Sequence, residues 1–135
     1  MAAKKNIRPG LAVPVLAAAA LGLFLRFFVF DIVRVEGRSM APALMPGNIL
    51  LVNRAAYGIR NPLAEGYFFR WASPRVDEIL VYRDPWDGDL KIKRCAAVSG
   101  LGVYVRGDNL RESLDSRLHG SVPVEWIAGK VLISF

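Results

Sequence analysis

The sequence has very few residues of the types that build metal and redox sites. Its 135 residues include one cysteine, Cys95, and one histidine, His119. A single cysteine cannot form an internal disulfide framework, a CxxC redox motif or a zinc cluster. One histidine is too few for a histidine-rich metal centre. We therefore expect a protein without a metal or other cofactor, folded as one compact domain rather than two.

Acidic residues are missing from the first 30 positions. The net charge is +6, and Lys4, Lys5, Arg8 and Arg26 account for four of the 18 basic residues. From Asp31 onward there are 14 basic and 12 acidic residues, so that part carries only +2. A groove for nucleic acid would need its positive charge in the folded part of the chain. The distribution therefore argues against a nucleic-acid partner and is typical of a membrane-orientation signal.

Residues 9–30, PGLAVPVLAAAALGLFLRFFVF, contain one charge in 22 residues. About 20 apolar residues suffice for a helix to cross a bilayer, so we predict a membrane anchor here. The positive-inside rule then places residues 1–8 in the cytoplasm and residues 31–135 outside the cell membrane. A cleaved signal peptide is the main alternative, but the apolar run continues well past the alanines at 17–20. A buried core helix is a weaker explanation for so uniform a run.

After Asp31 the pattern changes to short runs rich in Val, Ile, Leu and Tyr, separated by Pro-Gly, Asp-Pro, Asp-Gly and Gly-Asp pairs. No long helical period follows. We therefore predict a mostly β domain of about a hundred residues. The predicted strands lie within residues 48–53, 77–83, 89–98, 102–107 and 129–135. Residues 53–75 are less regular and predict an extended loop with a hairpin.

A lone serine, Ser39, lies in the stretch VEGRSMAPALMPGN. The default interpretation of such a serine is a turn hydroxyl. If Ser39 is instead a nucleophile, another group must accept its proton. His119 lies in the polar stretch DSRLHGSVP, which is typical of a surface turn. A lysine is the other option, because Ser-Lys is a known variant of the serine nucleophile design.

Lys93 lies on the predicted strand LKIKRCAAV, where strict alternation places it on one face with Cys95 and Ala97. Small neighbours would exclude water from its amine, and desolvation can lower a lysine pKa by several units from about 10.4. Lys91 shares that face and is an alternative base. The strand alone, however, favours an ordinary solvated lysine.

Four longer motifs follow one another along the chain. They are GRSMAP with PGN (residues 37–48), RVDEILVYRDP (75–85), IKRCAAVSG (92–100) and GDNLRESLDSRLHG (107–120). In this order they resemble the nucleophile, strand, base and Gly-Asp-Asn…Ser-x-Asp-Ser-Arg boxes of the bacterial type I signal peptidases, which are membrane-anchored Ser-Lys proteases. Each motif is weak alone, but the set behind one N-terminal anchor is a strong signal.

This resemblance implies a signal-peptidase-like β catalytic domain with Ser39 as nucleophile and Lys93 as general base. The backbone N–H of Ser39 would bind the oxyanion. Ser113 matches the serine that orients the lysine amine. The remaining matches are supporting polar residues, expected to brace the site as ion pairs: Arg94, Asp108, Asp115 and Arg117.

The resemblance also implies the substrates, which are exported preproteins cut after small residues, typically at Ala-x-Ala sites. The peptide would bind as an added strand beside a sheet edge. No metal or cofactor is implied, and the partners would be signal peptides and the phospholipid membrane. As residues that shape the substrate pockets we suggest Val33, Val35, Met40, Ile92, Ala96 and Val98.

Three alternatives remain open at this point. A specialised maturation protease for one substrate, such as a conjugative pilin or a metalloenzyme precursor, would use the same chemistry. A self-cleaving repressor of the SOS type shares a Ser-Lys dyad, but it would need a DNA-binding domain where the apolar segment lies. An inactive membrane-tethered binding module would need no serine and lysine at these positions. The motifs favour a protease that removes N-terminal signal peptides.

Overall fold

The structure, a computed structural model, describes residues 9–135; the predicted cytoplasmic segment 1–8 lies outside the described residues. Helix α1, Pro9–Phe24, continues into a π-helical turn, Leu25–Val29. Together, Gly10–Val29 form an apolar helix of 20 residues that is long enough to cross a membrane and is not buried against the rest of the described chain. The predicted N-terminal apolar helix is thus confirmed.

The rest of the chain is mostly β, as predicted. The strands are β1 Phe30–Arg34, β2 Ile49–Asn53, β3 Gly58–Arg60, β4 Tyr67–Arg70, β5 Ile79–Arg83, β6 Leu90–Ser99, β7 Gly102–Arg106 and β8 Ile127–Ser134. An antiparallel six-stranded sheet has the order β1-β2-β8-β5-β6-β7, and β3 pairs with β4 in a separate hairpin. Helix α2, Ser116–His119, and a 3-10 turn, Val124–Trp126, complete the chain.

The predicted strands all correspond to strands of the large sheet, and the predicted hairpin is β3–β4. Strand β1 was not predicted. Its residues alternate between exposed and half-buried positions, and it pairs with β2 from Phe30↔Asn53 to Arg34↔Ile49. Because β1 begins directly after the π-helical turn, its strand signal is merged with the end of the apolar run. The helix therefore leads into the sheet without a linker.

Two apolar clusters lie on opposite sides of strand β5, whose central residues are buried on both faces. Leu80 and Tyr82 pack into one cluster with Val103, Val105 and Ile127. Val81 points to the other side. The second cluster lies beneath the loop that joins β1 to β2 and contains Val35, Met40, Leu44, Leu50, Val52 and Val81. Burial of each such side chain contributes roughly 1.5–3 kcal/mol, so this loop is held by the core.

Candidate active site

Ser39 lies in the β1–β2 loop, which side chains and backbone hydrogen bonds both hold in place. Met40, the next residue, is only 1% exposed and packs into the second cluster. Where the loop leaves β1, the N–H of Val35 donates to the carbonyl of Asn48 at 2.9 Å. The carbonyl of Ser39 accepts from the N–H of Asn109 at 2.9 Å. The serine hydroxyl is therefore presented from an anchored backbone.

Lys93 on β6 is only 4% exposed, and its Nζ donates a hydrogen bond to the Oγ of Ser39 at 2.5 Å. The structure thus brings together the two residues that the motifs pair. Burial lowers the pKa of Lys93, an effect that the negative charge of Asp115 only partly opposes. The lowered pKa increases the fraction of neutral amine, which is the form that can accept a proton.

The two alternative bases are engaged elsewhere. The Nζ of Lys91 donates to the carboxylates of Asp84 and Asp87. Burial acts to lower the pKa of Lys91, but these hydrogen bonds outweigh it and raise that pKa. His119 is exposed at the end of α2, and its ring lies 5.0 Å from that of Trp86.

One detail of the predicted strand is wrong. Strand β6 contains a bulge, because Cys95 lies opposite Val105 whereas Ala97 lies opposite Tyr104, the adjacent residue of β7. The extra residue reverses the alternation, so Ala97 does not share the face of Lys93 and Cys95. Cys95 is fully buried and Ala97 is exposed. Strict alternation cannot anticipate a bulge.

Ser113 and Asp115 lie beside the dyad and bond to each other. The hydroxyl of Ser113 donates to Oδ2 of Asp115 at 2.6 Å, and the carboxylate also accepts from the side chain of Arg117 at 2.9 Å. Burial alone would raise the pKa of Asp115, but hydrogen bonds from Arg117, Ser113 and the N–H of Gly107 outweigh it and lower that pKa. Within residues 9–135 no hydrogen bond joins Ser113 to Lys93. The orienting role implied for Ser113 therefore stays a prediction.

Gly107 allows the Ser113 segment and the loop of Ser39 to approach each other closely. A Cβ at this position would lie 2.5 Å from the Cβ of Ser113 and 2.5 Å from the carbonyl oxygen of Ser39. No side chain fits at such distances. The first glycine of the GDN motif thus allows the Ser113 segment to pack directly against the nucleophile loop.

A second ion pair supports the same region. The guanidinium of Arg94 binds both carboxylate oxygens of Asp108, at 2.9 and 2.7 Å, and donates to the carbonyl of Asp77 at 3.0 Å. This two-pronged geometry is the stronger form of an Arg–carboxylate contact. It ties β6 to the segment after β7. The four residues predicted to support the site form two ion pairs, Arg94–Asp108 and Asp115–Arg117, and their role in bracing the site stays a prediction.

A groove of about 740 Å³ opens at the dyad, between residues 31–37 and residues 89–93. Within the described residues no further strand pairs along either wall, because β1 is an outer strand of the sheet and β7 pairs only with β6 residues from Arg94 onward. Of the suggested pocket residues, Val33, Val35, Met40 and Ile92 line the groove. Ala96 and Val98 do not, since they lie in the half of β6 that runs beside β7.

Comparison with known proteins agrees with this geometry. The model of the family described as signal peptidase, peptidase S26, matches residues 9–106, a range that includes Ser39 and Lys93. The chain belongs to this family. Over 80% of the present chain, it is 31% identical to signal peptidase I of Pseudomonas aeruginosa. Over 96% of the present chain, it is 30% identical to signal peptidase I of Bacillus caldolyticus.

The relatives in this family differ in size from the chain. The alignment covers 73% of the Bacillus caldolyticus protein but only 37% of the Pseudomonas aeruginosa protein. The chain therefore spans about a third of the length of the pseudomonad relatives. A third relative, mitochondrial ATP-independent inner membrane protease subunit 1a of Arabidopsis thaliana, is 28% identical over 78% of this chain and 70% of its own length.

Two features of the site were not anticipated from the family motifs. The first is Asn48, whose Oδ1 accepts from the N–H of Met45 at 2.7 Å and whose Nδ2 donates to the carbonyl of Phe135 at 3.2 Å. The other feature is the ion pair between Asp84 and Lys91. From the sequence, Lys91 was noted only because it shares a strand face with Lys93.

Proposed function

We propose that this chain is a membrane-anchored serine endopeptidase that removes N-terminal signal peptides from exported preproteins. The observation that carries the proposal is the hydrogen bond between the buried amine of Lys93 and the hydroxyl of Ser39. Membership of the S26 family supplies the reaction class. A buried lysine with a lowered pKa beside a serine is the arrangement that a Ser-Lys protease requires.

The proposed reaction has two stages. Neutral Lys93 takes the proton of the Ser39 hydroxyl as Oγ attacks the scissile carbonyl, and the resulting ammonium gives that proton to the leaving amine. Water then hydrolyses the acyl-enzyme with Lys93 again as base. In the described part of the chain the N–H of Ser39 has no acceptor, which supports its role as an oxyanion donor.

The groove supports binding of the substrate as an extended strand. In the described part of the chain, β1 and the first half of β6 each have an edge that pairs with no other strand, so a peptide between them can bind as an added strand. Val33 and Ile92 contribute apolar walls close to the dyad. Shallow apolar walls favour small side chains, in agreement with an Ala-x-Ala preference.

The proposed topology is a single pass through the cell membrane, with the N-terminus in the cytoplasm and the β domain outside. The basic residues before the apolar helix support this orientation. At the other end of the helix, Arg26 pairs with Asp31 at 3.0 Å. The direct continuation of the helix into β1 holds the groove close to the bilayer, where a signal peptide would emerge.

The decisive experiment is cleavage of a preprotein with an Ala-x-Ala site by the full chain in detergent. Wild type, Ser39→Ala and Lys93→Met are compared, with Ser73→Ala as the matched control at an exposed serine. We expect cleavage after the second alanine by wild type and the control alone. Cleavage by Lys93→Met at the wild-type rate would overturn the assignment of the base, and inactive wild type on several preproteins would overturn the proposed function.

A further inference from the structure

The negative charges of two buried carboxylates act on Lys93, and each carboxylate is paired with its own cation. Asp84 is 3% exposed and Asp115 is 2% exposed. A buried negative charge near a lysine favours the protonated, inactive form of the amine. The charge of Asp115 is balanced by Arg117 at 2.9 Å. The charge of Asp84 is balanced by Lys91.

Asp84 is fixed by the turn between β5 and β6. Its Oδ1 accepts from the N–H of Trp86 at 2.9 Å, and its carbonyl accepts from the N–H of Gly88 at 2.9 Å. Its other carboxylate oxygen accepts from the Nζ of Lys91, which also binds Asp87 at 2.6 Å. The turn therefore places a buried negative charge near the dyad for structural reasons, and Lys91 meets it there.

The remaining charges around Lys93 lie in water. The groove is lined by further charged side chains, namely Asp31, Arg34, Glu36, Asp89 and Glu112. All of these are exposed apart from Asp31, which is half-buried. Exposed charges are screened by solvent and salt, whereas buried ones are screened much less. Among the described residues, the buried or half-buried charges that act on Lys93 are those of Asp115, Lys91 and Asp84.

We propose that Lys91 is a positioning residue that cancels the charge of Asp84 and so keeps Lys93 in its neutral form. The importance of that form for catalysis rests on the proposed function, but the electrostatic relationship does not. Lys91 and Lys93 are two residues apart on one strand face, about 7 Å along the strand. The positive charge of Lys91 also disfavours a proton on Lys93 directly.

The inference predicts opposite effects for the two partners. In Lys91→Met, Asp84 loses its cation, so the pKa of Lys93 rises. In Asp84→Asn, with Lys91 retained, the pKa of Lys93 falls. In the double variant both charges are gone, and the pKa of Lys93 lies between those of the single variants. A purely structural role of the pair would not give changes of opposite sign.

Nuclear magnetic resonance tests this pattern directly. The full chain, labelled with 13C at lysine Cε, is titrated in detergent micelles, and the Lys93 signal is assigned by its loss in Lys93→Arg. Thermal melting first establishes which variants are folded, and Asp84→Asn and the double variant suffice if Lys91→Met does not fold. The expected order supports the inference. An unchanged pKa of Lys93 in the folded variants, or shifts of the same sign, would overturn it.

Kinetics provide a second readout. A higher pKa of the base reduces its neutral fraction at neutral pH. We therefore expect kcat/KM of Lys91→Met to fall about three- to tenfold near pH 7 and to recover at alkaline pH. An equal loss at every pH would contradict the inference. Inactive wild type would count against the proposed function alone, because the titration does not depend on cleavage.

Discussion

The Nζ of Lys93 lies 2.5 Å from the Oγ of Ser39, although the two residues are 54 positions apart. Strand β6 fixes the lysine, and the core beneath the β1–β2 loop fixes the serine. Neither element depends on the hydrogen bond for its own position. Changes to the dyad should therefore alter chemistry and ionisation while leaving the fold intact.

The first prediction concerns the stability of Lys93→Met. Because the folded-state pKa of Lys93 is lowered, the unfolded chain binds its proton more tightly, and folding is disfavoured at neutral pH. Lys93→Met removes this cost, so we expect its Tm to equal or exceed that of wild type, with a difference that shrinks as the pH approaches about 10.4. Lys130→Met is the control, since it breaks the 2.7 Å pair with Glu78 and should lower Tm. A lower Tm for Lys93→Met would contradict the prediction.

The second prediction concerns the pH dependence of cleavage. The base acts only when neutral, so kcat/KM should rise with pH through the pKa of Lys93. It should reach a plateau well below about pH 10.4, the pKa of a free lysine. Activity is thus lost as the pH falls. The measurement is kcat/KM on a fluorogenic peptide across the neutral and alkaline range. A profile that is flat over this range, with chemistry as the slow step, would exclude a lysine base.

The third prediction concerns Gly107→Ala. The new methyl group would lie 2.2 Å from the Oγ of Ser113 and 2.5 Å from the carbonyl oxygen of Ser39, so one of the two segments must move. We expect a loss of about 1–3 kcal/mol in the free energy of unfolding and a large loss of activity. Gly100→Ala is the matched control, because nothing lies within 4 Å of its Cβ. Equal unfolding midpoints in urea for the two variants would show that the close approach is unimportant.

The fourth prediction concerns Asp115→Asn. The carboxylate caps helix α2 and accepts hydrogen bonds from Ser113 and Gly107. Because hydrogen bonds lower its pKa in the folded chain, its contribution to stability is fully present above about pH 5 and is lost progressively as the pH falls below about 4, the pKa of a free aspartate, towards the lower pKa of the folded state. We expect Asp115→Asn to be about 2 kcal/mol less stable at pH 7. The difference from wild type should shrink on acidification, and a pH-independent difference in urea unfolding would contradict this.

The fifth prediction concerns substrate selection by the groove. Ile92 lines the groove beside the dyad, whereas Val98 lies outside it. Ile92→Ala should widen the groove at this wall. The ratio of kcat/KM for a substrate with valine before the cut to that for a substrate with alanine there should rise by about tenfold. Val98→Ala is the control and should leave the valine-to-alanine ratio unchanged. The same ratio in both variants would remove Ile92 from the specificity wall.

Much of the fold could be predicted from local patterns. The apolar run of residues 9–30 predicts a helix of membrane length, and the strand signals of β2, β5, β6, β7 and β8 are each local. Strand β1 could not be separated from the apolar run that precedes it, because both are rich in apolar residues. The bulge after Cys95 also could not be predicted from the sequence, since it is imposed by pairing with β7.

The sequence by itself determined the chemistry that is available: one serine in a nucleophile motif, lysines on one strand face, and no cluster of cysteine and histidine. The motifs pair Ser39 with Lys93, but only the tertiary structure shows where the amines of Lys91 and Lys93 lie. Lys91 reaches the carboxylates of the β5–β6 turn and is held there as an ion pair, whereas Lys93 points into the core beside Ser39. Both residues are lysines on the same face of one strand. What differs is the set of distant groups that folding places around each amine.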